Sequence, residues 1–386
     1  MVKLQRLVLA LAVGGVLAAG AAAASSKPRT LPTTTPVTGL AADGATVAVA
    51  TAWSAGHCER VVAWNPVRAS LRGLGKAGRC DETSTGRGIV GQAVAGTRVA
   101  WIADGGGNSH DAVLYTASLA RPAVAHRLLL ATRDVDSGAG NWVGGLQGSG
   151  SLLVYATWSL CDAGQPAFKA CPAGVTPGTL YNAKLWRIDG LTRRTLIASA
   201  PDGMFPIGVA AGRILVARGD GTSFELRGAD GHVIQTYQPD GDVLAAALGT
   251  KELVLAVRTP LVPPLSKARI EFIVYTLATG AVEQALPVPA AALTVKGSDC
   301  SYPMGGPTVA CVSPVARLRF ADADATRFVY VLDTVVHVAR LDGSKDSALT
   351  PSGQAPVFAV LGGGGVVYSY RTGGGIQGRV QYLPAP

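Results

Sequence analysis

Residues 184–198 read Lys-Leu-Trp-Arg-Ile-Asp-Gly-Leu-Thr-Arg-Arg-Thr-Leu-Ile-Ala. A β-prone run ends in Asp-Gly, and a second run that carries Arg and Thr follows it. Because Asp-Gly favours the positive-φ turn between antiparallel strands, this stretch predicts a β-hairpin. Related copies occur at Gly96–Ala131 and His337–Thr350, and the unit recurs about every 35 to 60 residues. Repetition on that scale predicts an all-β fold, the β-propeller.

We divide the body of the chain into seven blades, each a four-stranded antiparallel sheet. The blades are Val37–Gly75, Ile89–Thr132, Val143–Ser199, Phe205–Tyr237, Val243–Val288, Ala316–Thr350 and Val357–Leu383. The last copy ends after its third strand, so we expect an N-terminal strand, Arg29–Thr33, to complete the ring and remove two open sheet edges. Helical spacing of apolar residues is not sustained anywhere after residue 24, so we expect little helix.

The N-terminal residues have the pattern of a secretory signal peptide. Lys3 and Arg6 precede the apolar run Leu7–Leu17, and Ala22 with Ala24 fits a small-x-small cleavage site. We therefore expect residues 1–24 to be a signal peptide, the alternative being a retained membrane anchor. Residues 25–36 are rich in Thr and Pro and serve as a linker or, in part, as the closing strand. Residues 37–386 are expected to form a single domain.

Composition and charge narrow the class of protein. Hydrophobic residues make up 48% of the chain and charged residues 15%, with 49 Gly and 23 Pro, which is typical of a turn-rich globular β-protein and not of a disordered one. The net charge of +9 favours anionic wall polymers, lipid head groups or nucleic acid, but the charges are scattered and the longest basic run is Arg193-Arg194. We expect no nucleic-acid partner, no transmembrane segment after signal cleavage, and a monomer.

The cysteines form three pairs that are local in sequence: Cys58 with Cys80, Cys161 with Cys171, and Cys300 with Cys311. Six cysteines allow 15 connectivities, but the local pairs are favoured because each lies within one blade or its insertion. Export to an oxidising compartment favours disulfides over the alternative, metal binding, for which no C-x-x-C or H-x-x-x-H spacing occurs.

Two stretches resemble the blade signature of TolB-type and related WD40-like propellers. They are Leu185-Trp186-Arg187-Ile188-Asp189-Gly190 with Arg193-Arg194-Thr195-Leu196, and His337-Val338-Ala339-Arg340-Leu341-Asp342-Gly343 with Ala348-Leu349-Thr350. The Ser-Pro-Asp-Gly turn that opens each blade in that family is approximated by Pro201-Asp202-Gly203. The resemblance implies a fold and not a chemistry.

The richest polar loop runs from residue 104 to residue 111. Asp104, Asn108 and Asp111 offer oxygens to a Ca²⁺-like cation, and His110 offers an acid or base. The spacing differs from the D-x-D-x-D-G calcium loop, and a long hairpin turn selects the same residue types. We therefore predict neither a metal nor a cofactor here, and keep these residues as candidate ligand-binding residues.

A second polar cluster leads into the third blade. It contains Asp134, Asp136 and Trp142, and loops between blades lie on one rim, where propellers commonly bind ligands. The alternative is a solvated turn. The loop Leu160–Thr179, with Phe168 and Lys169 between its cysteines, is either a recognition loop or a stapled insertion.

No sequence motif of a known catalytic class is present, neither G-x-S-x-G, H-E-x-x-H nor a Walker sequence. We therefore predict an exported, non-catalytic propeller that binds a protein or a cell-envelope polymer through its loop rim. The alternative is an extracellular lyase or hydrolase acting on polysaccharide or peptide, with a site gathered from several blades at the central channel.

Overall fold

The computed structural model describes residues 27–54, 56–76, 78, 80, 88–134, 136–162, 171–219, 221–259, 269–288 and 318–385. The predicted signal peptide, the Phe168–Lys169 loop tip and the Cys300–Cys311 pair lie outside these residues. Within the described ranges there is no α-helix, only a short 3-10 turn at Gly373–Gly375, and no helix with the length and apolar character to span a membrane. The expectation of an all-β chain with little helix is confirmed for these residues.

The strands form antiparallel sheets. Five sheets have four strands: β2 (Val37–Asp43), β3 (Thr46–Thr51), β4 (Arg60–Asn65) and β5 (Ser70–Leu74); β14 (Met204–Ala210), β15 (Arg213–Arg218), β16 (Phe224–Gly228) and β17 (Val233–Tyr237); β18 (Asp242–Leu248), β19 (Glu252–Thr259), β20 (Arg269–Thr276) and β21 (Val282–Pro287); β22 (Leu318–Ala323), β23 (Arg327–Leu332), β24 (Val335–Arg340) and β25 (Asp346–Leu349); and β26 (Gln354–Gly362), β27 (Gly365–Thr372) and β28 (Gln377–Pro384) with β1 (Arg29–Thr33).

One further sheet has eight strands: β6 (Gly88–Ala95), β7 (Arg98–Gly106), β8 (Ser109–Ser118), β9 (Arg121–Asp134), β10 (Gly140–Ser149), β11 (Leu152–Leu160), β12 (Leu180–Asp189) and β13 (Arg193–Ala200). The expectation that every sheet would have four strands is therefore wrong for β6 to β13. The physical reason is local, because β9 and β10 are joined through a single residue pair, Gly140 with Arg133.

The first strands of successive units contact one another in a circular order. The order is β2, β6, β10, β14, β18, β22 and β26, and β26 again contacts β2. β1 pairs antiparallel with β28, with Arg29 opposite Tyr382 and Thr33 opposite Gly378, so the two ends of the described chain share one sheet. This is the pairing that the sequence predicted for Arg29–Thr33.

Apolar residues fill the spaces between neighbouring sheets. The sheet that holds both chain ends packs on the first sheet through a cluster that includes Val47, Trp64, Val367 and Tyr382. Val47, Val367 and Tyr382 are 0% exposed. Strands such as β3 are buried along nearly their whole length, which explains their uninterrupted apolar sequence. Each fully buried Val or Leu side chain stabilises the fold by about 1.5–3 kcal/mol.

The Asp-Gly turns adopt the predicted backbone conformation. Gly190 has φ of 75° and Gly343 has φ of 71°, in the left-handed region where glycine carries no steric penalty. Both glycines lie between the third and fourth strands of a unit. The repeated signature therefore sets the turn, and the turn aligns the two outer strands of the sheet.

Candidate functional site on the long-loop face

The connections sort onto two ends of the sheets. In an antiparallel unit, the connections from first to second and from third to fourth strand share one end, which we call the short-turn face. Connections from second to third strand, and from a fourth strand to the next unit, share the other end, the long-loop face. The Cys58–Cys80 and Cys161–Cys171 disulfides both form, and both close connections on the long-loop face.

A buried ion pair anchors this face at the eight-stranded sheet. Asp104, near the end of β7, is 6% exposed and pairs with Arg133, near the end of β9, which is 4% exposed. The other Asp104 oxygen lies 3.3 Å from Nδ1 of His110, and a terminal guanidinium nitrogen of Arg133 lies 3.3 Å from the same Nδ1. The polar hairpin is thus built around a buried arginine, which holds Asp104 and His110 in place.

Arg133 also begins a row of aromatic rings. Its guanidinium lies 4.2 Å from the ring centroid of Trp142, and the Trp142 ring stacks on Trp158 with 6.1 Å between centroids and 9° between planes. Phe205 packs edge-on against Trp158 at 4.9 Å. The three rings are half-buried. Cation–π and aromatic contacts of this kind fix ring orientation, so the row is a pre-formed surface at the junction of β10, β11 and β14.

Of the other residues predicted from the sequence, some are hydrogen-bonded within turns and some are exposed on the surface. Asp134 accepts hydrogen bonds from the N–H and Oγ of Ser137, both at 2.8 Å, and from the N–H of Asp136 at 3.1 Å. The bonds from Ser137, the larger cause, and from Asp136 lower the pKa of Asp134. Asp111 accepts from Thr132 Oγ1 at 2.6 Å. Asp136 and Asn108 are exposed.

The structure therefore brings Asp104, His110 and Trp142 together through Arg133, and leaves Asn108 and Asp136 on the surface of the same face. Sequence reasoning did not select Trp158 or Phe205, because the three rings come from strands that only the fold brings together. The sequence did contain one indication: Trp142 lies near the start of β10 and Trp158 near the end of β11, and both of these strand ends are on the long-loop face. Among the residues described, no group of three His, Cys, Asp or Glu side chains is placed to hold a metal ion.

A second concave site lies on the axis, towards the short-turn face. It is a cavity of about 720 Å³ lined by the C-terminal halves of the first strands, largely by Ala, Gly, Leu and Val. Asp322 of β22 lies in its wall and accepts hydrogen bonds from the N–H groups of Leu361 at 2.8 Å and Ala323 at 2.9 Å. Burial, reinforced by the nearby Asp324 carboxylate, raises the pKa of Asp322 to about 6 despite these donors.

A second aspartate in that wall links units in the same way. Asp43 at the end of β2 accepts from the N–H of Gly96, at 2.6 Å, in the next unit. Asp322 likewise connects β22 to β26 through Leu361. Asp43 and Asp322 are therefore each engaged by a backbone donor of a neighbouring unit, and their first task is to hold the units together.

Comparison with known proteins identifies the fold alone. No protein-family model and no curated protein matches the chain. Among solved structures, the β-propeller domain of Cps50 (Swd1) from Myceliophteria thermophila is 10% identical with a TM-score of 0.50, covering 93% of this chain and 100% of that one. The Pan2 WD40 domain of Neurospora crassa is 12% identical with a TM-score of 0.46, covering 91% and 90%.

BamB from Moraxella catarrhalis is 11% identical with a TM-score of 0.36, covering 89% of this chain and 85% of that one. The Cps50 (Swd1) match thus confirms the predicted resemblance to β-propellers at the level of the fold. Identities near 10% carry no information on ligand or activity.

Proposed function

We propose that this protein is an exported β-propeller that binds a protein or a cell-envelope polymer through its long-loop face, without catalysis. The observation that carries the proposal is the aromatic row of Trp142, Trp158 and Phe205, set against the buried Asp104–Arg133 pair. Trp is among the residue types that dominate binding energy at protein interfaces, and the buried Arg133 fixes the orientation of Trp142. Two disulfides constrain connections on the same face.

The same proposal includes the organisation of the chain. We infer seven units in one domain, counting the eight-stranded sheet as two, with β1 completing the ring after the signal peptide of residues 1–24 is removed. Two disulfides on one face suit an oxidising compartment. Mass spectrometry of the mature N-terminus tests the cleavage.

Hydrogen exchange on the mature protein tests the binding face. We expect isolated cell-envelope material, as wall polysaccharide or as extracted envelope proteins, to slow exchange at residues 104–111 and 136–146. Exchange at the short turns should remain unchanged. Slowed exchange confined to the short turns would contradict the proposal, because the ligand would then sit at the axial cavity or on the opposite face.

The second candidate function is an extracellular lyase or hydrolase with its site in the axial cavity. The observation that favours it is Asp322, whose pKa of about 6 places a proton donor beside a cavity of about 720 Å³. Turnover of a panel of wall polysaccharides and peptides, abolished by Asp322→Asn, would establish this activity. No turnover by the folded protein would leave binding as the function.

A further inference from the structure

One sector of the long-loop face, as far as the structure describes it, is rich in aspartate although the chain as a whole is basic. The chain carries a net charge of +9. Aspartates nevertheless line this face from the end of β7 to the start of β18. They are Asp104, Asp111, Asp134, Asp136, Asp162, Asp202, Asp240 and Asp242. We call this set the acidic arc.

Arginines on the same arc are held against some of these aspartates. Arg133 pairs with Asp104, Arg218 lies 2.6 Å from Asp202, and Arg258 lies 2.5 Å from Asp242. The three arginine side chains are 5%, 19% and 18% exposed, whereas Asp202 and Asp242 are 48% and 41% exposed. At the Arg218–Asp202 and Arg258–Asp242 pairs the surface that meets solvent is therefore acidic, because each arginine lies beneath its aspartate, whereas both members of the Arg133–Asp104 pair are buried.

The aromatic row lies within the acidic arc. Trp142 lies at the start of β10, after the connection that contains Asp136, and Phe205 lies at the start of β14, after the connection that contains Asp202. A rim of carboxylates around half-buried Trp and Phe rings has the composition of an interface whose centre is aromatic and whose edge is charged. Steering by the edge charges favours a partner of the opposite sign.

We propose that the acidic arc docks a lysine- or arginine-rich segment of a protein partner, with the aromatic row at the centre of the contact. The inference rests on the proposed function of this face and names its partner class. Anionic wall polymers and acidic lipid head groups are disfavoured by the same charges, and a neutral polysaccharide gains nothing from them. A basic segment uses both features, since the stems of Lys and Arg pack on aromatic rings while their heads meet carboxylates.

The test uses two fluorescein-labelled peptides of equal length, one alternating Lys with Ser and Tyr, the other with Glu in place of Lys. Anisotropy is measured with the mature protein at low and moderate salt. We expect the Lys peptide to bind, with an affinity that falls as salt rises, and the Glu peptide not to bind. Absence of Lys-peptide binding at low salt would overturn the proposal.

Charge-reversed variants locate the site. Asp136→Lys with Asp240→Lys changes two exposed aspartates of the acidic arc, and should weaken Lys-peptide binding at least about tenfold. Asp230→Lys with Asp342→Lys is the matched control, because these side chains are 69% and 58% exposed and lie in turns of the short-turn face. This control should change the affinity less than about twofold. Equal weakening by the two variants would mean non-specific attraction and would overturn the proposal.

The two experiments together distinguish a wrong partner class from a face that has no binding role. If the Lys peptide does not bind but envelope material still slows hydrogen exchange at residues 104–111 and 136–146, the face binds a ligand of another class. If neither effect occurs, the face has no binding role. Thermal unfolding of both double variants confirms that each remains folded, so a loss of binding reports the surface.

Discussion

The short-turn face and the long-loop face are built from the same strands but use their polar groups differently. On the short-turn face, Arg98 donates to the carbonyls of Ile188 and Gly190, at 2.9 and 3.1 Å, in the next unit. Asp43 and Asp322 accept from backbone N–H groups of neighbouring units. On the long-loop face, Asp136 and Asp240 lie exposed at the rim. The polar groups named at the first end therefore bridge neighbouring units, whereas those named at the second end are exposed to solvent.

The largest expected effect concerns the Asp104–Arg133 ion pair, which is buried although it lies on the long-loop face. Asp104→Ala leaves Arg133 charged and nearly buried without its carboxylate, which should cost about 3–5 kcal/mol of unfolding free energy. Urea unfolding followed by tryptophan fluorescence measures it. Asp136→Ala, on the same face but exposed, is the control and should leave the midpoint unchanged. Equal midpoints for the two variants would show that the pair is not structural.

The next effect concerns the disulfides, which in the described residues occur on the long-loop face and not on the short-turn face. Cys161→Ser removes a disulfide between cysteines 10 residues apart in the connection from β11 to β12, which should cost about 2–3 kcal/mol in the chain-entropy model. We expect faster hydrogen exchange at residues 171–179 and no change at the short turns. Loss of the whole cooperative unfolding transition would contradict a staple that acts only on its own loop.

A third effect concerns pH at the short-turn end. Asp322 has a folded pKa of about 6, above its value of 3.8 in the unfolded chain, so the folded state binds the proton more tightly. Its contribution to stability is therefore greatest below about pH 4 and is lost as the pH rises through 6, a change on the order of 2–3 kcal/mol. Asp322→Asn keeps an oxygen that accepts from Leu361 N–H and removes the charge.

Unfolding free energies of this variant and of the natural protein, compared between pH 4 and pH 7.5, test the sign. The variant should be the more stable of the two at pH 7.5, and the difference should vanish towards pH 4. A variant that is less stable at pH 7.5 would show that the charged carboxylate is needed to join β22 and β26.

The smallest expected effect compares the backbone constraint at one glycine of each face. Gly190→Ala forces a Cβ into the left-handed region at φ of 75°, although no atom lies within 4 Å of that Cβ, and should cost about 1 kcal/mol. Gly107→Ala, in a loop on the long-loop face with equal space and without positive φ, is the control. Similar losses would mean that the short turns are no more constrained than the long loops.

Local features were predictable from the sequence, and features assembled across units were not. The Asp-Gly turns at Gly190 and Gly343 depend on two adjacent residues, and the pairing of Arg29–Thr33 with β28 followed from a repeat that ends one strand short. The join of β9 to β10 depends on how one unit meets the next, so the single pair Gly140–Arg133 was not foreseen.

The candidate site shows the same limit. Asp104, His110 and Trp142 were selected because their loops are polar, but Arg133 was not seen as the group that connects them. The raised pKa of Asp322 depends on burial among first strands that are distant in sequence. Charge on one face was hidden by the net charge of the whole chain, because a sum over residues contains no information on which end of a strand each residue occupies.

The sheet that holds both chain ends has a consequence for biosynthesis. Among the described strands the ribosome makes β1 first and its partner β28 last, so β1 has no partner strand until residues 377–384 have been synthesised. A product that stops before Gln377 lacks β28 and leaves β1 and β27 with unpaired backbone edges. Completion of this one sheet therefore requires synthesis through β28, and a product without it presents two open strand edges that can pair with other chains.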